Sequence, residues 1–217
     1  MLLDEEKSSR IDGDRFVKKR WPIVAGILVV VAVVLFVLSQ NYPKPFPWAG
    51  ILGGEWETSA YLGANIYNET VYGYSSLVFN VSSVAGSEVY MLSLNTTRLP
   101  MTSSSLIRTS VSPCKIDWGW LGLSNNYAFL TWNGTYWIAD SDDGSEVPEI
   151  TVINGYYPSA AWRKVGIEVA STSVKYYLDD QLVAMHTLRI PDGDFQFYGE
   201  FKSTGTASKL YIASHDS

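Results

Sequence analysis

The sequence predicts an all-β fold of two stacked antiparallel sheets, with one membrane-spanning helix ahead of it. Three observations carry that expectation. From Gly53 onward the chain is written in short runs that alternate apolar and polar residues, the two-residue period of a strand with one buried face. Gly, Asn, Asp, Ser and Pro separate the runs, and no stretch there sustains a helical period. Ahead of Gly53, by contrast, residues 23–38 form an unbroken apolar run of 16.

Residues 1–20 are charged and carry Ser8-Ser9 and Asp12-Gly13-Asp14, the composition of a short disordered cytoplasmic tail. Residues 21–40 hold the apolar run. With Trp21, Pro22 and Ser39 added, it approaches the ~20 residues a helix needs to cross a bilayer. Arg15, Lys18, Lys19 and Arg20 precede it and only Lys44 follows closely, which places the N-terminus in the cytoplasm and the rest of the chain outside. Trp21 and Trp48 suit the two interfaces. A cleaved signal peptide is the rival expectation, with Val37-Leu38-Ser39 as the cleavage position. A leader of about 20 residues and an apolar run above the usual ~7–15 favour a retained signal anchor. In residues 41–52, Pro43, Pro45 and Pro47 alternate with other residues, which makes an extended, semi-rigid spacer.

Residues 53–217 form the extracytoplasmic domain. Expected strands are Trp56–Leu62, Val71–Val81, Val89–Leu94, Leu106–Ser112, Lys115–Leu121, Tyr127–Trp132, Thr135–Ala139, Ile150–Ile153, Lys164–Ala170, Val174–Leu178, Leu182–Thr187, Phe195–Phe201 and Lys209–Ala213. Asn133-Gly134 is a type I′ hairpin signal, and Asp179-Asp180-Gln181 marks a second hairpin. So many short strands in one open sheet would leave an apolar face and long edges exposed, so they are expected to stack as two.

Composition excludes several functions. Of the 16 Lys/Arg and 22 Asp/Glu in the chain, six and five lie in residues 1–21, leaving ten and seventeen beyond. That acidic surface does not attract nucleic acid. Cys114 is the only cysteine, so no disulfide forms within one chain. His186 and His215 are the only histidines and lie far apart in sequence, which leaves no zinc or thiol-nucleophile constellation. No cofactor is expected. The loop Asp140-Ser141-Asp142-Asp143-Gly144-Ser145-Glu146 offers oxygen ligands that suggest Ca²⁺, but it lacks EF-hand spacing and reads as a solvated loop.

The stretch Lys115-Ile116-Asp117-Trp118-Gly119-Trp120-Leu121-Gly122 resembles the catalytic strand of glycoside hydrolase family 16, within the concanavalin A-like lectin/glucanase superfamily. That strand reads Glu-x-Asp-x-Glu, or Glu-x-Asp-x-x-Glu, followed by an aromatic residue, Leu and Gly. Val71-Tyr72-Gly73-Tyr74 looks like a strand of the family's cleft wall. The pair Ala161–Val169 and Val174–Val183 resembles a hairpin that recurs across the superfamily. The resemblance implies a concanavalin A-like jelly roll over roughly residues 55–213, with a glycan groove on one sheet. Here Lys115 stands at the nucleophile position and Gly119 or Trp120 at the acid/base position, so only Asp117 is kept. Retaining hydrolysis needs two carboxyl groups about 5–5.5 Å apart, and neither lysine nor glycine supplies one. No catalytic residue is assigned.

On a strand, Lys115, Asp117 and Gly119 share one face, and Cys114, Ile116, Trp118 and Trp120 share the other. Lys115 and Asp117 are candidate glycan contacts, with a plain Lys–Asp surface pair as the alternative. Trp120 joins them if Gly119 carries a bulge and belongs to the core otherwise. Tyr74 is the fourth candidate. Trp132, Tyr136 and Trp137 read as a structural aromatic group about the Asn-Gly turn. Glu55 and Glu57, an i, i+2 carboxylate pair, read as structural too. Sequons occur at Asn68, Asn80, Asn95 and Asn133, all on the side expected outside the cell. The expected function is a membrane-anchored, non-catalytic domain that binds or presents glycan. The alternatives are an accessory subunit of a membrane complex or surface layer, and a hydrolase with non-standard acids.

Overall fold

The computed structural model describes residues 56–71, 73–110, 114–145, 147–159 and 161–216. The predicted tail, anchor and spacer, and Glu55, lie outside the described residues. Among the described residues there are fourteen strands: β1 Trp56–Tyr61, β2 Asn65–Val71, β3 Tyr74–Val81, β4 Glu88–Ser93, β5 Met101–Thr109, β6 Cys114–Gly122, β7 Tyr127–Trp132, β8 Trp137–Asp142, β9 Glu149–Ile153, β10 Arg163–Ala170, β11 Ser173–Leu178, β12 Gln181–His186, β13 Phe195–Ser203 and β14 Ser208–Asp216. They form two seven-stranded sheets, ordered β1-β4-β13-β6-β7-β8-β9 and β12-β11-β10-β5-β14-β3-β2. Every pairing is antiparallel.

Period-two alternation decides which residues meet between the sheets. In β6, Cys114, Ile116, Trp118 and Trp120 are inward and buried, whereas Lys115 is exposed and Asp117 partly so. In β13 the inward set is Phe195, Phe197, Gly199, Phe201 and Ser203. In the second sheet Leu77, Phe79, Ile107, Val165, Ile167, Val169, Tyr176 and Leu210 complete the core. Cys114 is fully buried, and desolvation pushes its thiol up to about 12.

The strands differ from the sequence expectation in instructive places. β5 begins at Met101, five residues before the predicted Leu106. The serine run 103–105 resembles a turn, yet Ser103 and Ser105 are buried, the latter beneath an indole from the other sheet. Trp118 Nε1 donates to Ser105 Oγ at 2.8 Å, and His215 Nδ1 lies 2.7 Å from the same oxygen. The predicted strand Val71–Val81 is two strands: β2 ends at Val71, Val71 pairs with Tyr74, and Gly73 turns the chain at φ +82°. β2 itself, Asn-Ile-Tyr-Asn-Glu-Thr-Val, is a polar edge strand with no clean alternation.

The two hairpin signals exchange roles. Trp132 pairs with Trp137, so the loop at Asn133-Gly134 holds four residues and is not a two-residue turn. Asn133 Oδ1 accepts from the backbone N–H groups of Thr135 and Tyr136, which stabilises the longer loop. At the second hairpin Leu178 pairs with Gln181, and Asp179 and Asp180 both sit at positive φ, 51° and 64°. That is the type I′ geometry.

Candidate glycan-binding face

The outward face of the first sheet carries Lys115 and Asp117, and strand register brings their neighbours in from other strands. Asp117 lies opposite Glu200 on β13 and Thr131 on β7. Lys115 lies opposite Lys202, which in turn lies opposite Glu88. One row further, Gly119 lies between Tyr198 and Phe129, with Asp140 beyond Phe129 on β8.

Asp117 is held at both oxygens. Thr131 Oγ1 donates to Oδ1 at 2.7 Å, and Lys115 Nζ lies 2.8 Å from Oδ2. Lys115 remains 45% exposed, so the pair is worth about 0–1 kcal/mol to stability. Tyr198 donates its hydroxyl to Glu200 Oε2 at 2.7 Å, and its burial, followed by that contact, raises its acidity range well above an ordinary phenol. Asp140 Oδ1 is buried with no hydrogen-bond partner among the described residues. Burial raises the Asp140 carboxyl to about 6, with the Asp142 and Asp117 charges adding to the rise and the Tyr127 hydroxyl and Lys115 opposing it. Desolvation likewise lifts Tyr127 to about 12.

A file of aromatic rings crosses this face. Tyr61 stacks with Tyr90 at 6.0 Å between centroids, Tyr90 with Tyr198 at 6.3 Å, and Phe129 with Tyr127 at 5.1 Å. Tyr198 and Phe129 flank β6 from either side, yet their centroids are 5.7 Å apart.

Gly119 is more than a vacant position. A Cβ built on its backbone would lie 2.1 Å from Ala128 O and 2.9 Å from Ile167 Cδ1. Neither contact can yield without moving backbone or core, so no side chain fits at 119. Pairing runs without a register shift through Gly119 on both sides of β6, so the strand carries no bulge there. Trp120 therefore faces inward and is 3% exposed, on the face opposite Asp117. Tyr74 opens β3 in the second sheet, 46% exposed, with its ring 5.2 Å from that of Trp162. Of the four sequence candidates, the structure thus brings together Lys115 and Asp117 only.

The other sequence readings find places as well. Trp132 and Trp137 are fully buried at 5.7 Å from one another, and Trp137 Nε1 donates to Tyr156 O at 2.9 Å. The stretch expected as a solvated acidic loop is not one throughout: Asp140, Ser141 and Asp142 end β8, with Ser141 and Asp142 buried, and Asp142 Oδ1 accepts from the N–H groups of Gly144 and Ser145 in the turn that follows. No group of three or more metal-ligating side chains occurs among the described residues. Asn68 and Asn95 are exposed, whereas Asn80 Nδ2 donates to Asn65 Oδ1 at 2.9 Å. Glu200, Asp140 and the aromatic file were not legible as a site, because each reaches the face from a strand distant in sequence. Period-two alternation within β13 and β7 is the one signal that bears on them.

No family profile matches the chain, and no curated protein does. Solved structures do. The β-glucanase of Bacillus licheniformis superposes with a TM-score of 0.58 at 11% identity, covering 73% of this chain and 89% of that one. The laminarinase catalytic domain of Thermotoga maritima gives 0.59 at 11% identity, over 74% and 89%. A Crh5 transglycosylase gives 0.60 at 11% identity, over 75% and 77%. At such identity the likeness is one of fold: this chain shares a two-sheet antiparallel β-sandwich with that β-glucanase, that laminarinase domain and that transglycosylase.

Proposed function

We propose that the chain is a single-pass membrane protein whose extracytoplasmic sandwich binds or presents a glycan on the outward face of its first sheet without cleaving it. The observation that carries this reading is Gly119. Where the resembling hydrolases hold an acid, the backbone of β6 is packed against Ala128 O and Ile167 so closely that no side chain fits. At the other catalytic position Lys115 is paired to Asp117. What remains suits recognition: aromatic rings that can stack on sugar faces, and carboxylates and lysines that can hydrogen-bond to hydroxyls. Membrane anchorage and an outside location rest on the apolar run 23–38 and the basic residues before it. Glycosylation, where it occurs, falls first on the exposed Asn68 and Asn95.

The test is a glycan array probed with the purified full-length chain in detergent, alongside a Tyr198→Ala variant. Saturable binding that weakens in the variant supports the reading, and no binding by folded protein defeats it. A reducing-end assay on β-glucans addresses hydrolysis by non-standard acids, for which Glu200 opposite Asp117 is the specific observation. A further reading, an accessory subunit of a membrane assembly, is favoured by exposed Ile150 and Val152 on edge strand β9 and Leu182 and Met185 on edge strand β12.

A further inference from the structure

Strand register gathers four loops at one end of the sandwich. Trp56 pairs with Ser93, Phe195 with Gly122, Tyr127 with Leu121 and Asp142, and Ser141 with Glu149. The loops 94–100, 123–126, 143–148 and 187–194 therefore all lie at the end where β1 begins. Leu188, Leu123 and Val147, on three of them, are the most exposed large hydrophobic side chains among the described residues, at 78%, 66% and 65%. The polar groups of the same loops are turned to one another or to the strands. Glu149 Oε2 accepts from the N–H groups of Thr187, Leu188 and Arg189 at 3.1, 2.9 and 3.2 Å. Leu123 donates its N–H to Asp194 O at 3.2 Å, and Asn126 Nδ2 donates to Asp192 O. Arg98 pairs with Asp194, and Arg189 with Asp143. These bonds pin the apolar tips outward. They also lower the cost of taking this end out of water, because these N–H groups and both guanidinium charges already have partners.

Exposure alone does not choose between the two ends, since Leu62, Val84 and Tyr157 are exposed at the opposite one, each to a smaller fraction. Connectivity does. The chain enters the sandwich at Trp56, on the end that carries Leu123, Val147 and Leu188, and residues 39–55 link that point to the apolar run. Such a link reaches at most about 60 Å. Its residues 45–54 are uncharged and include Phe46, Trp48, Ile51 and Leu52, a composition that suits a bilayer interface. On the loops Asp143, Asp192 and Asp194 outnumber Arg98 and Arg189, so the matching lipid is not anionic. We infer that this end of the sandwich rests on a lipid surface without net charge, with Leu123, Val147 and Leu188 set at headgroup level. The inference rests on the reading of residues 21–40 as a membrane anchor. Three side chains bury little area, but on a tethered domain they act at high effective concentration. A domain so seated presents the face around Asp117 sideways, along the membrane.

The full-length chain in phosphatidylcholine nanodiscs tests this with one nitroxide at a time. The label is attached through Ser124→Cys beside Leu123, Thr187→Cys beside Leu188, or Ser83→Cys at the opposite end, all exposed positions. Oxygen concentrates in lipid and a nickel chelate in water, so their collision rates with the nitroxide tell the two surroundings apart. Oxygen is expected to dominate at positions 124 and 187 and nickel at position 83. The triple change Leu123→Ser, Val147→Ser and Leu188→Ser should abolish the oxygen excess. Nickel dominating at all three positions overturns the inference. So does poor access of both reagents at 124 and 187, which would mean that a protein covers this end. Alkaline extraction of vesicles separates this inference from the anchored reading. A chain that leaves the vesicles defeats both, whereas one that stays while positions 124 and 187 report water defeats the inference alone. Should the triple variant not fold, the three single serine changes replace it, each expected to lower the oxygen excess.

Discussion

Trp118 and Gly199 face one another across β6 and β13, and the indole occupies the space a side chain at 199 would need. A Cβ built on Gly199 would lie 2.5 Å from Trp118 Cζ3. Gly199→Ala is therefore expected to force the indole from its seat, at about 1–3 kcal/mol for overpacking a filled core. Thermal unfolding measures it, and a melting temperature equal to the parent's would show that the indole can move aside.

The same indole depends on Ser105 from the other sheet. Ser105→Ala takes away the acceptor of the Trp118 N–H at 2.8 Å while leaving the donor buried. A loss of about 1–3 kcal/mol is expected in chemical denaturation. Ser105→Thr keeps a hydroxyl and adds a methyl group, so it separates the lost hydrogen bond from the packing. No loss in Ser105→Ala would mean that the indole N–H has found another acceptor.

Restoring acids at the two family positions is not expected to restore chemistry. Gly119→Glu meets the Ala128 carbonyl and Ile167, and even Gly119→Ala is expected to lower stability by about 3 kcal/mol or more. The double change Lys115→Glu with Gly119→Glu should therefore release no reducing ends from β-glucan and should unfold at lower temperature than the parent. Hydrolysis by that variant would show that β6 rearranges more easily than its packing implies.

Asp140 gives a pH dependence of definite sign. Its folded carboxyl titrates at about 6 against an ordinary 3.8, chiefly because it is buried. Between those values the folded chain keeps a proton that the unfolded chain has lost, so this group's contribution to stability declines as pH rises through the window. Asp140→Asn cannot ionise. Its melting temperature relative to the parent should rise between about pH 4 and pH 7 and stay level above. A difference that does not change with pH would contradict the assignment.

How much of this was legible in the sequence follows from which signals are local. Period-two alternation located most strands within two or three residues and paired Lys115 with Asp117 on one face. It fails at β5, where Ser103 and Ser105 are both buried and Ser105 meets Trp118 and His215, partners that lie on other strands. β2 is not legible because this edge strand tucks only Ile66 against the core and is otherwise mostly polar, which leaves no alternation to follow. At Asn133-Gly134 the dipeptide favours a two-residue turn, but the pairing of Trp132 with Trp137 sets the loop length. The face around Asp117 could not be assembled from sequence at all. Glu200 and Asp140 reach it through register, which residues near Asp117 do not encode.

The seclusion of Cys114 has a practical corollary. It is the only thiol in the chain, it is wholly enclosed, and its proton is held to about pH 12. The folded domain is in effect silent toward maleimides and iodoacetamides. A cysteine introduced at any chosen surface position would then take a fluorophore or spin label alone, without first deleting a native one.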